Sequence, residues 1–365
     1  MSALTFYTAP RIFTGESWLE DHALVIRAGV IEEILPVAQL PAAAGPKHIT
    51  GFIAPAFIDL QIYGAHGKLL AVYPEADALA KLVEYCRQGG AAWCQPTVAT
   101  NTNQVMYRCI DAVREYWASG RQGVLGLHLE GPWINPVKRG AHIESLIHVP
   151  AEKEVAELLE YGRGVITMIT LAPEQCSDAV IDLILSHHII ISAGHSNATY
   201  KEATQAFEKG ITAVTHLYNA MSPLQHRGPG LTGAAMSHDK VRASIIPDGH
   251  HVDYVAVKLA RQVMQERLFA ITDAVTETTE GYYQHYLAGD KYEAAGILSG
   301  SALTMQKALY NLVHHAGVEP AEAVRMCSLY PAQVMRMDDR LGKIAPGYRA
   351  EMVGIDDGLT TATLL

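Results

Sequence analysis

The sequence predicts an α/β fold, a (β/α)8 TIM-type barrel accompanied by a small discontinuous β-sandwich domain formed by both termini. From about Phe57 to His315, short apolar runs alternate with longer segments of helical period, as in parallel strands joined by crossover helices. The runs number eight, which is the number that closes a barrel. Both ends of the chain carry a different pattern, in which apolar and polar residues alternate as in antiparallel strands.

Each predicted barrel strand is a short and mostly apolar run. In chain order the runs are FIDLQIYG from Phe57, AAWCQPTV from Ala91, VLGLHLEG from Val124, VITMITLA from Val165, IIISAGHS from Ile189, TAVTHLYN from Thr212, RASIIPDG from Arg242 and LFAITDAV from Leu268. Between them lie segments of helical period such as EADALAKLVEYCRQGG, QVMYRCIDAVREYWASGR, SDAVIDLILSHH and YKEATQAFEKG. Several of these segments end in glycine, which suits a helix C-terminus.

The two chain ends are predicted to form one domain. ALVIRAGVIEEIL alternates like a strand, PAAAGPKHITG is rich in turn residues, and the tail LGKIAPGYRAEMVGID has the same character. We therefore assign residues 1–54 and 341–365 to the sandwich and residues 55–340 to the barrel.

Composition limits the functional classes. Hydrophobic residues make up 49% of the 365 residues and charged residues 18%, and no run of 18 or more apolar residues suggests a membrane span. A net charge of −10 argues against nucleic-acid binding, which needs a basic face. The five scattered cysteines and an N-terminal segment without a secretory pattern lead us to expect reduced thiols and a soluble, cytoplasmic protein.

The residues that end the predicted strands suggest catalysis, because functional groups of such barrels come from the C-terminal strand ends. These residues are rich in metal-ligating and acid–base types. They are Gln61, Tyr63, Glu130, Glu174, His195, His216, His250 or His251, and Asp273.

Glu130, His195 and His216 form the predicted metal site. Two neutral imidazoles and one carboxylate supply three ligands and leave a position for water or substrate. Taken alone, His195 is more typical of a hydrogen-bonded core histidine than of a ligand. The presence of Glu130 and His216 at other strand ends favours the ligand instead. Asp273 fits three roles: a further ligand, an acid–base group, or the N-cap of a following helix.

Four other polar residues leave alternatives open. His128 lies two residues before Glu130, on the same face of the strand, and fits a further ligand but is expected instead in the core or behind the site. Successive strand residues face opposite ways, so only one of His250 and His251 should enter the site. Glu174 fits either a supporting role or a loop contact.

Several motifs carry a resemblance to a known family. They are GLHLEGPWINPVKRGAH, SAGHSNA, THLYNAM followed by HRGPGLTGAAM, DGHHVD, ITDAV, LSGSALTM and DDRLGKIAPGYRAEMVGID. In order and spacing they resemble the N-acetylglucosamine-6-phosphate deacetylases of the amidohydrolase superfamily, and the resemblance extends from Pro55 to the C-terminus. The HLEGP…GAH block is specific to this family rather than typical of barrels in general.

The resemblance implies a role for each matching residue. Glu130, His195 and His216 would bind one divalent metal ion per subunit. Zinc is the first candidate, and iron, manganese and cobalt are the alternatives. Asp273 would be the general base and acid, and His142 would orient or polarise the acetamide carbonyl. The implied substrate-binding residues are Ala141, His142, Asn219, Ala220, Arg227 and His251, with Gln61, Tyr63 and Leu298 as weaker candidates.

The implied phosphate site also suggests an oligomer. In the resembled family the arginine typically reaches the partner's site, so we expect a homodimer in which Arg227 does so. Arg227 and His251 would supply charge-assisted hydrogen bonds to a phosphate within an acidic protein.

The chain departs from the family pattern in three places. Gln61-Ile62-Tyr63 stands where many amidohydrolases carry HxH, and since neither an amide nor a phenol is a usual zinc ligand, we predict a single metal. Gly228 replaces the usual glutamate after the arginine, which leaves the orientation of Arg227 open. The Tyr-rich segment AVTETTEGYYQHYLAGDKYEAAG is expected to be a hairpin with exposed aromatic residues. A lid or a platform for the sugar is the less favoured alternative.

We therefore expect a metal-dependent enzyme that removes acetate from N-acetylglucosamine 6-phosphate in amino-sugar catabolism. One alternative is a related amidohydrolase acting on N-acetylgalactosamine 6-phosphate or another N-acylated small molecule. A second is a catalytically inactive barrel that serves as a binding scaffold.

Overall fold

The computed structural model describes residues 3–365, and within that range the chain forms 22 β-strands and ten α-helices. The strands are β1 (Leu4–Thr8), β2 (Arg11–Phe13), β3 (Trp18–Glu20), β4 (His22–Arg27), β5 (Val30–Pro36), β6 (Lys47–His48), β7 (Phe52–Pro55), β8 (Phe57–Ile62), β9 (Gly64–Ala65), β10 (Lys68–Leu69), β11 (Ala91–Ala99), β12 (Leu127–Glu130), β13 (Ile166–Leu171), β14 (Ile190–Ala193), β15 (Ala213–Val214), β16 (Arg242–Ile245), β17 (Leu268–Ala270), β18 (Tyr286–Ala288), β19 (Lys291–Ala294), β20 (Ile297–Ser301), β21 (Met352–Ile355) and β22 (Ala362–Leu364). The helices are α1 (Ala76–Gln88), α2 (Asn103–Ala118), α3 (Glu152–Tyr161), α4 (Asp178–Ser186), α5 (Tyr200–Lys209), α6 (Gly230–Ser237), α7 (Tyr254–Met264), α8 (Met305–His314), α9 (Pro320–Cys327) and α10 (Leu329–Val334).

Eight parallel strands form the barrel in the order β8, β11, β12, β13, β14, β15, β16, β17. The first and last strands meet beyond β17, where the Asp273 N–H donates to the Gln61 carbonyl at 2.9 Å and the Tyr63 N–H donates to the Ala274 carbonyl at 2.9 Å. Seven of the predicted runs each contain one of these strands, and β11 extends one residue beyond the remaining run, AAWCQPTV. The predicted barrel is therefore confirmed.

Whereas α6 is buried along its whole length except at Ser237, most crossover helices cover the barrel with one apolar face. Helix α5 is an example, in which Ala203, Ala206 and Phe207 are buried at helical spacing. Thr199 and Glu202 form a capping box at its start, and the helix ends at Gly210, whose φ of 123° favours glycine.

Strands from both chain ends pack as a β-sandwich beside the barrel. One sheet has the order β5-β4-β1-β6 and the other the order β22-β21-β7-β2-β3, so the C-terminal β21 pairs with β7 near residue 54. Apolar side chains from both sheets share one core cluster that includes Ile12, Leu24, Ile53 and Met352. The sandwich from both termini is present, and its boundaries at residues 54 and 341 stay a prediction.

Two small antiparallel units extend from the C-terminal ends of the barrel strands. The hairpin β9–β10 follows β8, and the three-stranded sheet β18–β19–β20 follows β17. Bridges join Ala274 to both Ile62 and Ser301, which ties the second unit to the barrel mouth. Both units contribute walls to the cavity described below.

The cysteines are unpaired, as predicted, and Cys86, Cys94, Cys109 and Cys327 are buried. Among the described helices, none combines the length and the hydropathy that crossing a bilayer requires.

Candidate active site

Four acidic and basic side chains meet at the mouth of the barrel. Glu130 is the last residue of β12, and His195, His216 and Asp273 follow β14, β15 and β17 by two or three residues. All four are buried and line one cavity of about 210 Å³, which suits a small molecule. The last three adopt left-handed backbone conformations, with φ of 47°, 35° and 54°. The chain therefore turns at each of these residues directly after a strand.

The three predicted metal ligands form a compact triangle. The Nε2 atoms of His195 and His216 lie 3.1 Å apart, and each lies 3.1 Å from Oε1 of Glu130. A tetrahedral ion with bonds of about 2.0–2.1 Å holds its ligand atoms roughly 3.3 Å apart. The triangle therefore has the size of a metal-binding face, and within residues 3–365 it is the cluster of ligating groups that fits an ion.

The donor chemistry of His195 also fits a cation. Its Nδ1 lies 3.0 Å from the Lys138 carbonyl, which can only accept a hydrogen bond. Nδ1 therefore carries the proton, and in the neutral ring the Nε2 lone pair points at a carboxylate oxygen and a second imidazole. A cation between these atoms removes the repulsion, and the carbonyl fixes the tautomer that binds it.

His142 lies against the same cluster without belonging to it. Its Nδ1 is 2.7 Å from Thr100 Oγ1, its Nε2 is 3.1 Å from Oε2 of Glu130, and its ring centroid is 4.3 Å from that of His195. The threonine hydroxyl fixes the ring, so Nε2 is held at the edge of the metal-binding triangle.

Gln61 and Tyr63 support the acidic residues from the position where many amidohydrolases carry HxH. The Gln61 amide donates to Asp273 Oδ1 at 2.8 Å and to Glu130 Oε1 at 3.1 Å. The Tyr63 hydroxyl donates to Glu130 Oε2 at 2.5 Å. These donors fix the two carboxylates, and the single metal stays a prediction.

Burial and nearby charges give the two carboxylates opposite properties. Burial acts to raise the pKa of Glu130, but the charges and hydrogen bonds of His195 and His142 outweigh it and hold the pKa well below its usual range. Burial raises the pKa of Asp273 well above its usual range, against the lowering effect of His216 and with a further raising effect of Glu130. Glu130 therefore offers a negatively charged carboxylate to a cation, whereas Asp273 is suited to exchanging a proton.

Comparison with known proteins identifies the family. Residues 52–364 match the Amidohydrolase family, and residues 1–51 match the NagA composite domain. The chain belongs to the amidohydrolase family.

This amidohydrolase is similar to curated deacetylases over nearly its whole length. It is 33% identical to an N-acetylgalactosamine-6-phosphate deacetylase of Escherichia coli O157:H7, with 96% of this chain and 95% of the relative covered. It is 32% identical to an N-acetylglucosamine-6-phosphate deacetylase of Haemophilus influenzae, with 93% and 92% covered. The resemblance inferred from the motifs is therefore confirmed.

Solved structures of similar proteins have the same fold. An N-acetylglucosamine-6-phosphate deacetylase from Pasteurella multocida superposes with a TM-score of 0.94 at 32% identity, covering 99% of this chain and 98% of that one. A Mycobacterium smegmatis mutant of such a deacetylase, in complex with N-acetyl-D-glucosamine-6-phosphate, gives a TM-score of 0.90 at 26% identity, covering 100% and 98%.

Most of the predicted site residues of this amidohydrolase meet in one cavity. They are Tyr63, Glu130, Ala141, His142, His195, His216, Asn219, Ala220, His251, Asp273 and Leu298. Gln61 lies behind the cavity wall and acts on it through its hydrogen bonds. Arg227 lies outside the cavity and is exposed. Asp273 is not a helix N-cap, because the next regular element is β18.

His251 faces the cavity, and the adjacent His250 turns outward to Asp290 at 2.7 Å. Asp248 accepts hydrogen bonds from the backbone N–H groups of both histidines and lies 2.6 Å from His251 Nδ1. Burial acts to raise the pKa of Asp248, but the hydrogen bond and charge of His251 hold it below its usual range. Asp248 therefore orients His251, and its position directly after the apolar run RASIIP was the signal that could have identified it.

His128 and Glu174 stay away from the cavity. His128 is buried, with Nε2 2.7 Å from Thr170 Oγ1, and burial lowers its pKa to about 4, so it is a neutral core histidine. Glu174 accepts hydrogen bonds from Asn135, Ser196 and the Asn197 N–H, and so fixes the loop after His195.

Two further groups near the site were not predicted from the sequence. Asp59 is a buried carboxylate on β8 that accepts hydrogen bonds from Thr272, the neighbour of Asp273. In the Tyr-rich segment, Tyr282 and Tyr286 are exposed as expected, but Tyr283 and His285 are buried and line the cavity. The expectation of exposed aromatics is therefore wrong for Tyr283.

Proposed function

We propose that this amidohydrolase removes the acetyl group from N-acetyl-D-glucosamine 6-phosphate, releasing acetate and D-glucosamine 6-phosphate. The observation that carries the proposal is the meeting of a metal-binding triangle, a protonatable carboxylate and an oriented imidazole in one small-molecule cavity. The relatives named for this substrate, which share about a third of the sequence over nearly the full chain, support it.

Glu130, His195 and His216 would hold one divalent ion. Zinc is the first candidate, and iron, manganese and cobalt are alternatives because they also accept nitrogen and oxygen ligands. When bound, such an ion polarises carbonyl oxygens and makes water a stronger acid. A single ion is proposed because Gln61 and Tyr63 offer hydrogen bonds rather than usual metal ligands at their positions.

The side chains around the triangle would handle the protons. Asp273 would take a proton from the attacking water and give it to the leaving amine, and its raised pKa suits the protonated half of that cycle. Gln61 would keep Asp273 in place through the bond to Oδ1. His142 would donate from Nε2 to the acetamide oxygen, where negative charge develops.

The phosphate would lie at the opposite end of the cavity. Among the lining residues that the structure describes there is no lysine or arginine, so local recognition would fall to His251, Asn219 and Ala220. Tyr218 and Ala220 have φ of 80° and 48°, and turns of this kind gather backbone N–H groups into anion-binding concavities.

The missing cation would come from a second copy of the chain. Arg227 is exposed on the loop before α6, where it can extend beyond its own subunit. A homodimer in which Arg227 completes the partner's phosphate site would thus supply the positive charge that the cavity lacks.

We also propose that the protein acts in the reducing cytoplasm, which the free cysteines support.

Acetate release measured with protein of known metal content tests the proposal. We expect kcat/KM for N-acetylglucosamine 6-phosphate to exceed that for N-acetylglucosamine about 100-fold or more, the effect of two charge-assisted hydrogen bonds to phosphate. Equal rates with and without the phosphate would contradict the phosphate site. Absence of acetate from metal-loaded protein would contradict the function.

The galactosamine epimer is the second candidate substrate, because a relative at 33% identity carries that name. It belongs in the same assay, where a higher kcat/KM for the epimer would reassign the substrate and leave the chemistry unchanged.

A further inference from the structure

The segment before β18 contributes alternate side chains to the active-site cavity. Tyr283 and His285 are buried and line it, whereas Tyr282, Gln284 and Tyr286 are exposed. This alternation is that of an extended chain with one face inward. The Tyr283 hydroxyl donates to the Thr100 carbonyl at 2.7 Å, which fastens the segment over the barrel mouth.

His285 is fixed at one nitrogen and free at the other. Its Nδ1 lies 2.8 Å from Ser299 Oγ on β20, and its ring is nearly parallel to that of Tyr283, at an interplanar angle of 11°. Nε2 makes no hydrogen bond to any residue in the range 3–365, and it is not among the polar atoms sealed inside the protein without a partner. Since the residue is 4% exposed and lines the cavity, the open side of Nε2 is the cavity itself.

The charge state of His285 restricts what it can recognise. Burial lowers its pKa to about 4, so the ring is neutral near pH 7 and offers either one N–H or one lone pair at Nε2. A neutral imidazole suits a hydroxyl, which can both donate and accept. The histidine near the proposed phosphate position has a different partner, because His251 is paired with the charged Asp248.

We propose that His285 is a specificity-determining residue, whose Nε2 hydrogen-bonds a ring hydroxyl of the phosphosugar while Ser299 sets the orientation of the imidazole. The inference rests on the proposed function, because it assigns the sugar-recognising wall of that same site. The sugar ring must lie between the acetamide at the metal-binding triangle and the phosphate near His251, and His285 lines the cavity that contains both ends.

Two substitutions of His285 distinguish a side chain that contacts the sugar from one that only anchors Ser299. The amide nitrogen of Asn can replace Nδ1 but does not reach the position of Nε2, whereas the longer Gln places its amide near Nε2. For a residue that only anchors Ser299, His285→Asn would be the milder change. For a residue that contacts the sugar, His285→Gln is the milder one.

Kinetics with metal-assayed protein test the proposal. We expect His285→Asn to lower kcat/KM for the phosphosugar about 10- to 100-fold, mainly through KM, because a buried polar contact is lost. His285→Gln should retain most of kcat/KM, and Gln284→Ala, on the outward face of the same segment, should match the unsubstituted protein. All variants should hold the same amount of metal.

Deoxy analogues of the phosphosugar, each lacking one of the ring hydroxyls at C1, C3 or C4, complete the test. For the analogue that lacks the contacted hydroxyl, the unsubstituted protein and His285→Asn should have equal kcat/KM. An equal loss for His285→Asn on every analogue, a milder effect of Asn than of Gln, or no loss at all would overturn the inference. Failure of the unsubstituted protein to release acetate from any phosphosugar would instead overturn the proposed function.

Discussion

Asp59 provides a quantitative test of how the barrel accommodates a buried carboxyl group beside the active site. It is buried on the first barrel strand and accepts hydrogen bonds from Thr272 Oγ1 at 2.5 Å, the Thr272 N–H at 3.1 Å and the Gln61 N–H at 3.3 Å. One donor, Gln61, also hydrogen-bonds Asp273 in the active site, and the other, Thr272, directly precedes Asp273 in the sequence. Asp59→Asn removes the charge at this junction while nearly preserving the shape of the side chain.

The substitution should change how stability depends on pH. Burial raises the pKa of Asp59 from 3.8 to about 6, and the hydrogen bonds from Thr272 and Gln61 offset only part of that effect. Between these two values the folded state keeps a proton that the unfolded state releases, so the contribution of Asp59 to stability falls as pH rises. Linkage over pH 4.5 to 7.0 gives a loss of about 2 kcal/mol in the unfolding free energy, at 1.36 kcal/mol per pKa unit.

Urea unfolding at pH 4.5 and pH 7.0 measures this loss, with both proteins in the same metal-loaded form so that metal-linked protons cancel. The stability of Asp59→Asn relative to the unsubstituted protein should improve by about 2 kcal/mol between the two pH values. Asp239→Asn, which removes a solvent-exposed aspartate, corrects for the general loss of one carboxylate. A pH-independent difference, or one of opposite sign, would refute the argument that Asp59 is protonated in the folded state near pH 5.

Three further substitutions test the proposed roles. Asp273→Asn should keep the metal and lower kcat about 100-fold or more, as for a positioned acid–base group, and near-normal acetate release would remove that role. His195→Ala should lose the metal, so a full complement of metal by elemental analysis would contradict its place as a ligand. Arg227→Ala should raise KM for the phosphosugar and leave unphosphorylated N-acetylglucosamine unaffected, and equal effects on both would contradict a phosphate contact.

The sequence predicted the barrel and its metal-binding triangle because both depend on local patterns. An apolar run followed by His or Glu marks a strand end, and parallel strands bring such ends together without further information. Asp59 was not predicted as a site residue because it lies inside an apolar run rather than at its end. Its hydrogen bonds from Thr272 form only when the barrel closes between the first and last strands. Nothing local to FIDLQIYG indicates that contact.

The position of His285 in the cavity was not predicted for a different reason. In an alternating segment the pattern separates two faces but does not say which face is inward. Here both faces of residues 282–286 carry aromatic or polar side chains, so hydrophobicity does not decide between them. The bond from Tyr283 to the Thr100 carbonyl, 183 residues apart in sequence, decides it in the structure.

The backbone at the site indicates that chemistry, rather than stability, determines three of its residues. His195, His216 and Asp273 all have left-handed φ, a conformation that costs a residue with a Cβ atom about 1 kcal/mol or more and that glycine adopts freely. Glycine at these positions would therefore relieve strain while removing the side chain for which we propose metal binding or proton transfer. Each turn places its side chain at the cavity two or three residues after a barrel strand. The strain thus accompanies a gain in the placement of functional atoms, and the hydrogen bonds from Gln61 to Asp273 and from His195 to the Lys138 carbonyl hold the strained residues in that arrangement.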